Sequence, residues 1–147
     1  MNSLKMVQTE HYMAYIREYD GAFHCEDGPA RIWRDRIADG SFVYDWRWML
    51  NGVEHRADGG PSWAVGYCVQ WFKHGRLHNL NGPAYISSVS DMIISRYMID
   101  GICISQREFS ERYLVTHFKE YEPEDPRVLF HYWRELDCSS YFISPTM

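Results

Sequence analysis

One phrase recurs along this chain and constrains its folding more than anything else in it. Each copy has an alternating strand, a tight Xaa-Gly pair, a histidine three residues after the glycine, and then Asp or Asn followed by Gly and Pro. The copies are Asp20-Gly21, His24 and Asp27-Gly28-Pro29; Asn51-Gly52, His55 and Asp58-Gly59-Gly60-Pro61; and His74-Gly75, His78 and Asn81-Gly82-Pro83. Asp100-Gly101 opens a fourth copy, in which Ile104 stands where the histidine belongs. The steps Gly21 to Gly52, Gly52 to Gly75 and Gly75 to Gly101 are 31, 23 and 26 residues, so a unit of about 23 residues with loop insertions fits. A period in this range marks stacked supersecondary units.

Within a unit the chain reads as strand, tight turn, short returning strand, second turn at Gly-Pro, and strand again. Asp-Gly, Asn-Gly and His-Gly supply the φ > 0 residues of a type I′ hairpin turn, and the extra Gly60 predicts a local bulge. Overlaying the copies puts Arg17, Trp48, Trp71 and Tyr97 in one ladder, and Glu18, Met49, Phe72 and Met98 on the opposite side. Three of the four rungs are apolar on both sides, which predicts a sheet covered on both faces through its middle. The first copy has Arg17 and Glu18 at these places, as expected of a polar end cap. Met1 to Glu10 carries little pattern and reads as a frayed start.

Helical spacing takes over after Ile104. Ser105-Gln106-Arg107-Glu108 is a capping-box sequence, followed by Phe109, Tyr113, Leu114, His117, Phe118 and Tyr121, with Glu122-Pro123 as the stop. Asp125-Pro126 makes an N-cap and N1 pair for a second helix carrying Val128, Leu129, Tyr132, Trp133 and Leu136 on one face. Tyr141, Phe142 and Ile143 predict a docked tail. The expected architecture is one domain over 1–147, mainly β with C-terminal α (α+β). It is an antiparallel meander of about four stacked hairpins over 11–104, capped by two short helices over 105–137, with a tail over 138–147.

Composition narrows the function. The net charge of −5 hides no basic stripe, since residues 1–104 hold 10 Lys and Arg against 12 Asp and Glu, and residues 105–147 hold 5 against 8. Nucleic acid is therefore not the expected partner. Cys25, Cys68, Cys103 and Cys138 lie 43, 35 and 35 residues apart, without the Cys-x-x-Cys of a zinc or redox site. No signal peptide and no apolar run near membrane-spanning length are present, so the expected location is cytoplasmic, with reduced thiols and no membrane association.

The phrase Asn-Gly-x-x-His-x-x-Asp/Asn-Gly-Pro after an aromatic strand resembles the MORN-type hairpin repeats, in the Gly-Pro-Ala variant of small phage, viral and bacterial proteins. The resemblance covers residues 15–104. It matches at Gly21, His24 and Pro29, at Gly52, His55 and Pro61, and at Gly75, His78 and Pro83. It implies a curved sheet of stacked hairpins used for binding, and it implies no particular activity.

Catalytic and metal chemistry find little support. Equivalent histidines in successive hairpins stand two strands apart, about 9–10 Å, too far to share an ion bound at about 2.0–2.2 Å. The expected role of each is to brace its own Asp/Asn-Gly-Pro turn. No catalytic residue, metal or cofactor is expected. The aromatic density, 16% of the chain, points instead to an interface, because Trp, Tyr and Arg anchor protein contacts. The candidate contact residues are Trp33, Arg34, Arg36, Trp46, Trp63, Tyr67 and Tyr85. The expected function is a non-catalytic protein-binding module, narrowed by the resemblance to a phage accessory protein that binds and blocks a host defence protein. The alternative is a small enzyme or nucleotide-binding protein using His55, His78 and nearby acids on a concave face. An exposed end strand leaves self-pairing through a sheet edge open.

Overall fold

The repeats stack as one antiparallel meander. A computed structural model describes residues 3–114 and 125–142. The long strands are β1 (Leu4–Gln8), β2 (Tyr12–Arg17), β3 (Arg31–Arg36) and β4 (Phe42–Arg47). After β4 the chain runs into a small hairpin, β5 (Met49–Leu50) and β6 (Val53–Glu54), then into β7 (Trp63–Val65) and β8 (Cys68–Gln70). A second small hairpin, β9 (Phe72–Lys73) and β10 (Arg76–Leu77), precedes β11 (Tyr85–Val89), β12 (Met92–Ile99) and β13 (Ile102–Ile104). The nine-stranded order is β1-β2-β3-β4-β7-β8-β11-β12-β13, with every pairing antiparallel. Alongside it the hairpin tips form a second column. Gly52 N–H donates to Phe23 O at 2.9 Å, Gly75 N–H to Glu54 O at 3.0 Å and Gly101 N–H to Leu77 O at 2.8 Å.

The sheet begins earlier than the sequence pattern suggests. Residues 4–8 pair in full register with β2, from Leu4↔Arg17 to Gln8↔Met13, so the segment read as frayed is the edge strand. Its side chains are mostly exposed, and an edge strand with little to bury shows no strong alternation.

Three of the four tips have the expected turn. Asn51, His74 and Asp100 sit at φ of 53°, 50° and 49°, each followed by a glycine at positive φ. The first tip differs, since only Gly21 has positive φ and its N–H closes onto Arg17 O at 2.8 Å. Asp20 is occupied instead by Arg17, whose Nη2 donates to Oδ2 at 2.6 Å. Arg17 also donates to Asn51 Oδ1 in the next tip. It is 8% exposed, so the expected polar end cap is wrong at this residue and holds only for exposed Glu18.

The histidines also act differently from expectation. His24 Nδ1 accepts from Asn51 N–H at 2.9 Å, His55 Nδ1 from His74 N–H at 3.1 Å, and His78 Nδ1 from Asp100 N–H at 3.0 Å. Each histidine thus braces the tight turn of the following unit, not its own Gly-Pro turn. Among the described residues no unit follows Ile104 in the stack, and there isoleucine replaces the histidine.

The helices meet the sheet on one face. α1 (Gln106–Phe109) is capped by Ser105, whose Oγ accepts from Glu108 N–H at 3.0 Å, and it continues as π-helix to Leu114. Its Phe109, fully buried, packs on Tyr97 with ring centroids 4.7 Å apart. The side chains expected at His117, Phe118 and Tyr121, the stop at Glu122-Pro123 and Ile143 of the tail lie outside the described residues. α2 (Pro126–Arg134) starts at Asp125, whose Oδ1 accepts from Arg127 N–H at 2.9 Å. Phe130 of α2, Cys138 and Phe142 join Met13, Ile32, Tyr44, Trp46, Val69 and Ile86 in the main core. The expected helical cover is therefore real, and the tail docks through Phe142. Tyr141 rests so close to Gly28 that a Cβ there would meet its ring at 2.9 Å, which gives the first Gly-Pro turn a steric reason for its glycine.

Arg134 ties α2 to the sheet. β4 and β7 pair only at Trp46↔Ala64 and Arg47↔Trp63. Where they part, the Arg134 guanidinium enters, donating to Gly66 O at 2.5 Å, to Tyr44 O and to the Asp45 carboxylate. Among the described residues, no helix is long and apolar enough to cross a membrane.

Candidate interaction surface

Because strand side chains alternate, the residues between the core positions form a second face. Tyr12, Trp33, Trp63 and Tyr85 are neither in the core cluster nor among the hydrophobic side chains packed against it, and Arg31 and Arg47 share their face. Strand register places them side by side, with Tyr12 opposite Trp33, Arg31 opposite Arg47, and Arg47 opposite Trp63. Across Gln70 the row continues to Tyr85 and Arg96. This face carries the aromatic and arginine side chains that the helices leave uncovered.

The rings and guanidiniums interleave. The Arg31 guanidinium carbon lies 4.1 Å from the Phe23 ring centre and 4.5 Å from that of Trp33. Arg47 lies 5.7 Å from Trp33 and 4.4 Å from Trp63. Trp63 in turn tilts against Phe72 at 5.8 Å. Phe23, Arg31, Trp33, Arg47, Trp63 and Phe72 therefore form one continuous run across the sheet. Stacking on rings holds arginine rotamers in place and supplies cation–π attraction of about 0.5–2 kcal/mol per contact. The side chains are already stacked before anything binds, which lowers the ordering cost of association.

The charges in the run are incompletely matched. Arg31 and Arg47 stand directly opposite each other, a like-charge pairing that costs stability in a sheet. Arg47 has Glu54 at 3.9 Å, both side chains 27% exposed. Arg31 Nε donates to the Tyr12 hydroxyl at 3.2 Å. Burial, with the Arg31 charge adding to it, lowers the Arg47 pKa against the pull of Glu54 and Asp45. Arg47 Nε and Trp63 Nε1 are both buried and have no acceptor among the described residues.

The structure divides the seven expected contact residues. Trp33, Trp63 and Tyr85 lie together on the open face. Tyr67 sits at the tip of the β7–β8 hairpin, 78% exposed, beside a groove of about 940 Å³ that runs along α2 and includes Phe42, Tyr44, Phe130 and Leu136. Arg34 is on the helix face, its guanidinium 3.9 Å from the Phe142 ring and its Nε donating to Glu10 O at 2.6 Å. Arg36 is exposed beside Phe42. Trp46 is 1% exposed and belongs to the core, so its assignment as a contact residue is wrong. The alternation Tyr44-Asp45-Trp46-Arg47-Trp48, aromatic on one side and charged on the other, is the sequence signal that separates it from Trp33 and Trp63. The same parity would have found Tyr12, Arg31 and Arg47.

The histidines of the alternative chemistry are already engaged. His55 and His78 both line a cleft of about 460 Å³ with Trp71, Lys73 and Asn79. In each, Nδ1 accepts from a backbone N–H, leaving only Nε2 for a substrate. Among the described residues, no group of three or more His, Cys, Asp or Glu is placed to hold a metal. The four cysteines are free thiols, and burial pushes that of Cys138 up to about 12. In comparisons with family models, with curated proteins and with solved structures, the chain matches none.

Proposed function

We propose that the chain is a non-catalytic binding module that engages a protein partner through the open face of its sheet. The supporting observation is the preorganised run from Phe23 to Phe72, in which Trp33 and Trp63 are held by arginines on a face that lies outside the core. Rigid Trp and Arg side chains on a well-supported surface have the character of interface hot spots. A narrower proposal, that a phage accessory protein occludes a host protein in this way, draws on the resemblance of the repeat phrase to hairpin arrays of phage proteins.

The test is selection from a displayed library of peptides and small domains against the immobilised chain. Trp33→Ala/Trp63→Ala serves as the counter-bait. Binders should saturate on the parent chain and be lost on the double variant, whose urea midpoint is checked in parallel. Saturable binders indifferent to both tryptophans would sink the reading.

A further inference from the structure

We infer that the partner segment seated on this face is acidic, with carboxylates placed over the Arg31–Arg47 pair. This rests on the open face being the binding surface and adds the chemistry of what it takes. The two guanidiniums are direct cross-strand neighbours. The charged groups around them are few. Glu54 reaches Arg47 only at 3.9 Å, and Asp45 is held by Arg134 and by Gly66 N–H. Asp35, opposite Val43, is exposed two residues beyond Trp33, while Lys5 and Arg96 extend the positive charge toward the two ends of the sheet. On a chain of net charge −5 this is a local cationic row, so an acidic segment is repelled elsewhere and drawn here.

Stacking decides how such a segment is held. A guanidinium lying over an indole turns its N–H edge away from the ring, and that edge matches a carboxylate with two parallel hydrogen bonds. Arg47 Nε and Trp63 Nε1, on directly paired residues, have no acceptor among the described residues, so hydrogen-bonding capacity is left over beside the two guanidiniums. Single-stranded nucleic acid would need bare ring faces on which bases could stack. Here the ring faces of Trp33 and Trp63 are occupied by arginines at 4.5 and 4.4 Å. The favoured occupant is thus an acidic peptide segment, not a nucleic acid.

The experiment titrates 15N-labelled full chain with a blocked peptide of about nine residues alternating Glu and Thr, a Lys and Thr peptide of equal length, and an oligothymidylate of about nine nucleotides. The acidic peptide should shift the indole N–H resonances of Trp33 and Trp63 saturably, with affinity falling as salt rises from about 50 to about 500 mM. The Lys peptide should move neither resonance. Arg31→Gln/Arg47→Gln should weaken the acidic peptide at least about tenfold, with a cooperative urea transition showing that the variant is still folded. Should that variant unfold, Arg31→Lys/Arg47→Lys keeps the charge without the planar fork and should still weaken binding. Shifts produced by oligothymidylate alone, or by no probe, would overturn the inference. If library binders depend on Trp33 and Trp63 but tolerate loss of both arginines, the acidic partner is excluded while the binding face stands.

Discussion

The two faces of the sheet are built from the same strands and the same residue types, yet they use them oppositely. On the helix face, Trp46 is sealed in the core and Arg134 spends its guanidinium on Gly66, Tyr44 and Asp45. On the open face, Trp33 and Trp63 stack with arginines whose N–H groups are only partly satisfied. Arg134 joins two elements through its hydrogen bonds, whereas Arg31 and Arg47 are held chiefly by stacking on rings. The aromatic content of the chain is thus divided by strand parity between the core and the open face.

Truncation should separate the faces most sharply. Trp46→Ala should cost about 3–5 kcal/mol, the range for emptying a core aromatic site. Trp33→Ala or Trp63→Ala should cost less than half as much while reducing partner binding; urea denaturation with tryptophan emission reads both. Equal losses at the three sites would erase the distinction. Arg134→Ala comes next, at about 1–2 kcal/mol, because the half-buried Asp45 carboxylate and two carbonyls lose their donor. Hydrogen exchange should then quicken in α2, while Arg47→Ala leaves α2 protected.

The column of tips tests a region belonging to neither face. His55→Ala should cost about 1 kcal/mol by freeing the His74 N–H. Burial, and then the nearby His74 and Lys73, lower the His55 pKa below its ordinary 6.5. The unfolded chain consequently takes the proton first as pH drops below 6.5. The stabilisation present above that value is lost as pH falls through the folded-state value. Urea midpoints measured across this range should decline in the parent and decline less in His55→Ala. The smallest effect compares two glycines of the same motif. Gly28→Ala should destabilise by about 1 kcal/mol or less because Tyr141 must shift. Gly82→Ala, with its nearest neighbour at 3.9 Å, should be neutral or stabilising by about 0.4–1 kcal/mol.

Much of this fold was legible because its signals are local. Three of the four Xaa-Gly turns, the Ser105 N-cap and the Asp125-Pro126 start all act within four residues, and each appears where the sequence places it. What escaped depends on distant partners. The histidines reach forward 27, 19 and 22 residues, and Arg134 reaches back 68 to 90, so neither destination is written near the residue itself. β1 was hidden because its exposed strand needs only β2 for its backbone. Of the candidate site, the residue types are legible in the sequence, whereas which face is left open depends on where α2 packs, beyond the reach of local alternation.

The forward reach of the histidines gives the array a direction. Each inner unit offers one turn N–H to the unit before it and one imidazole to the unit after it, so its two ends are complementary. A duplicated copy could be spliced between existing units and find both partners waiting. A copy appended beyond Ile104 would meet isoleucine where its turn seeks an acceptor. Length can thus be gained from within the stack and is closed off at its end.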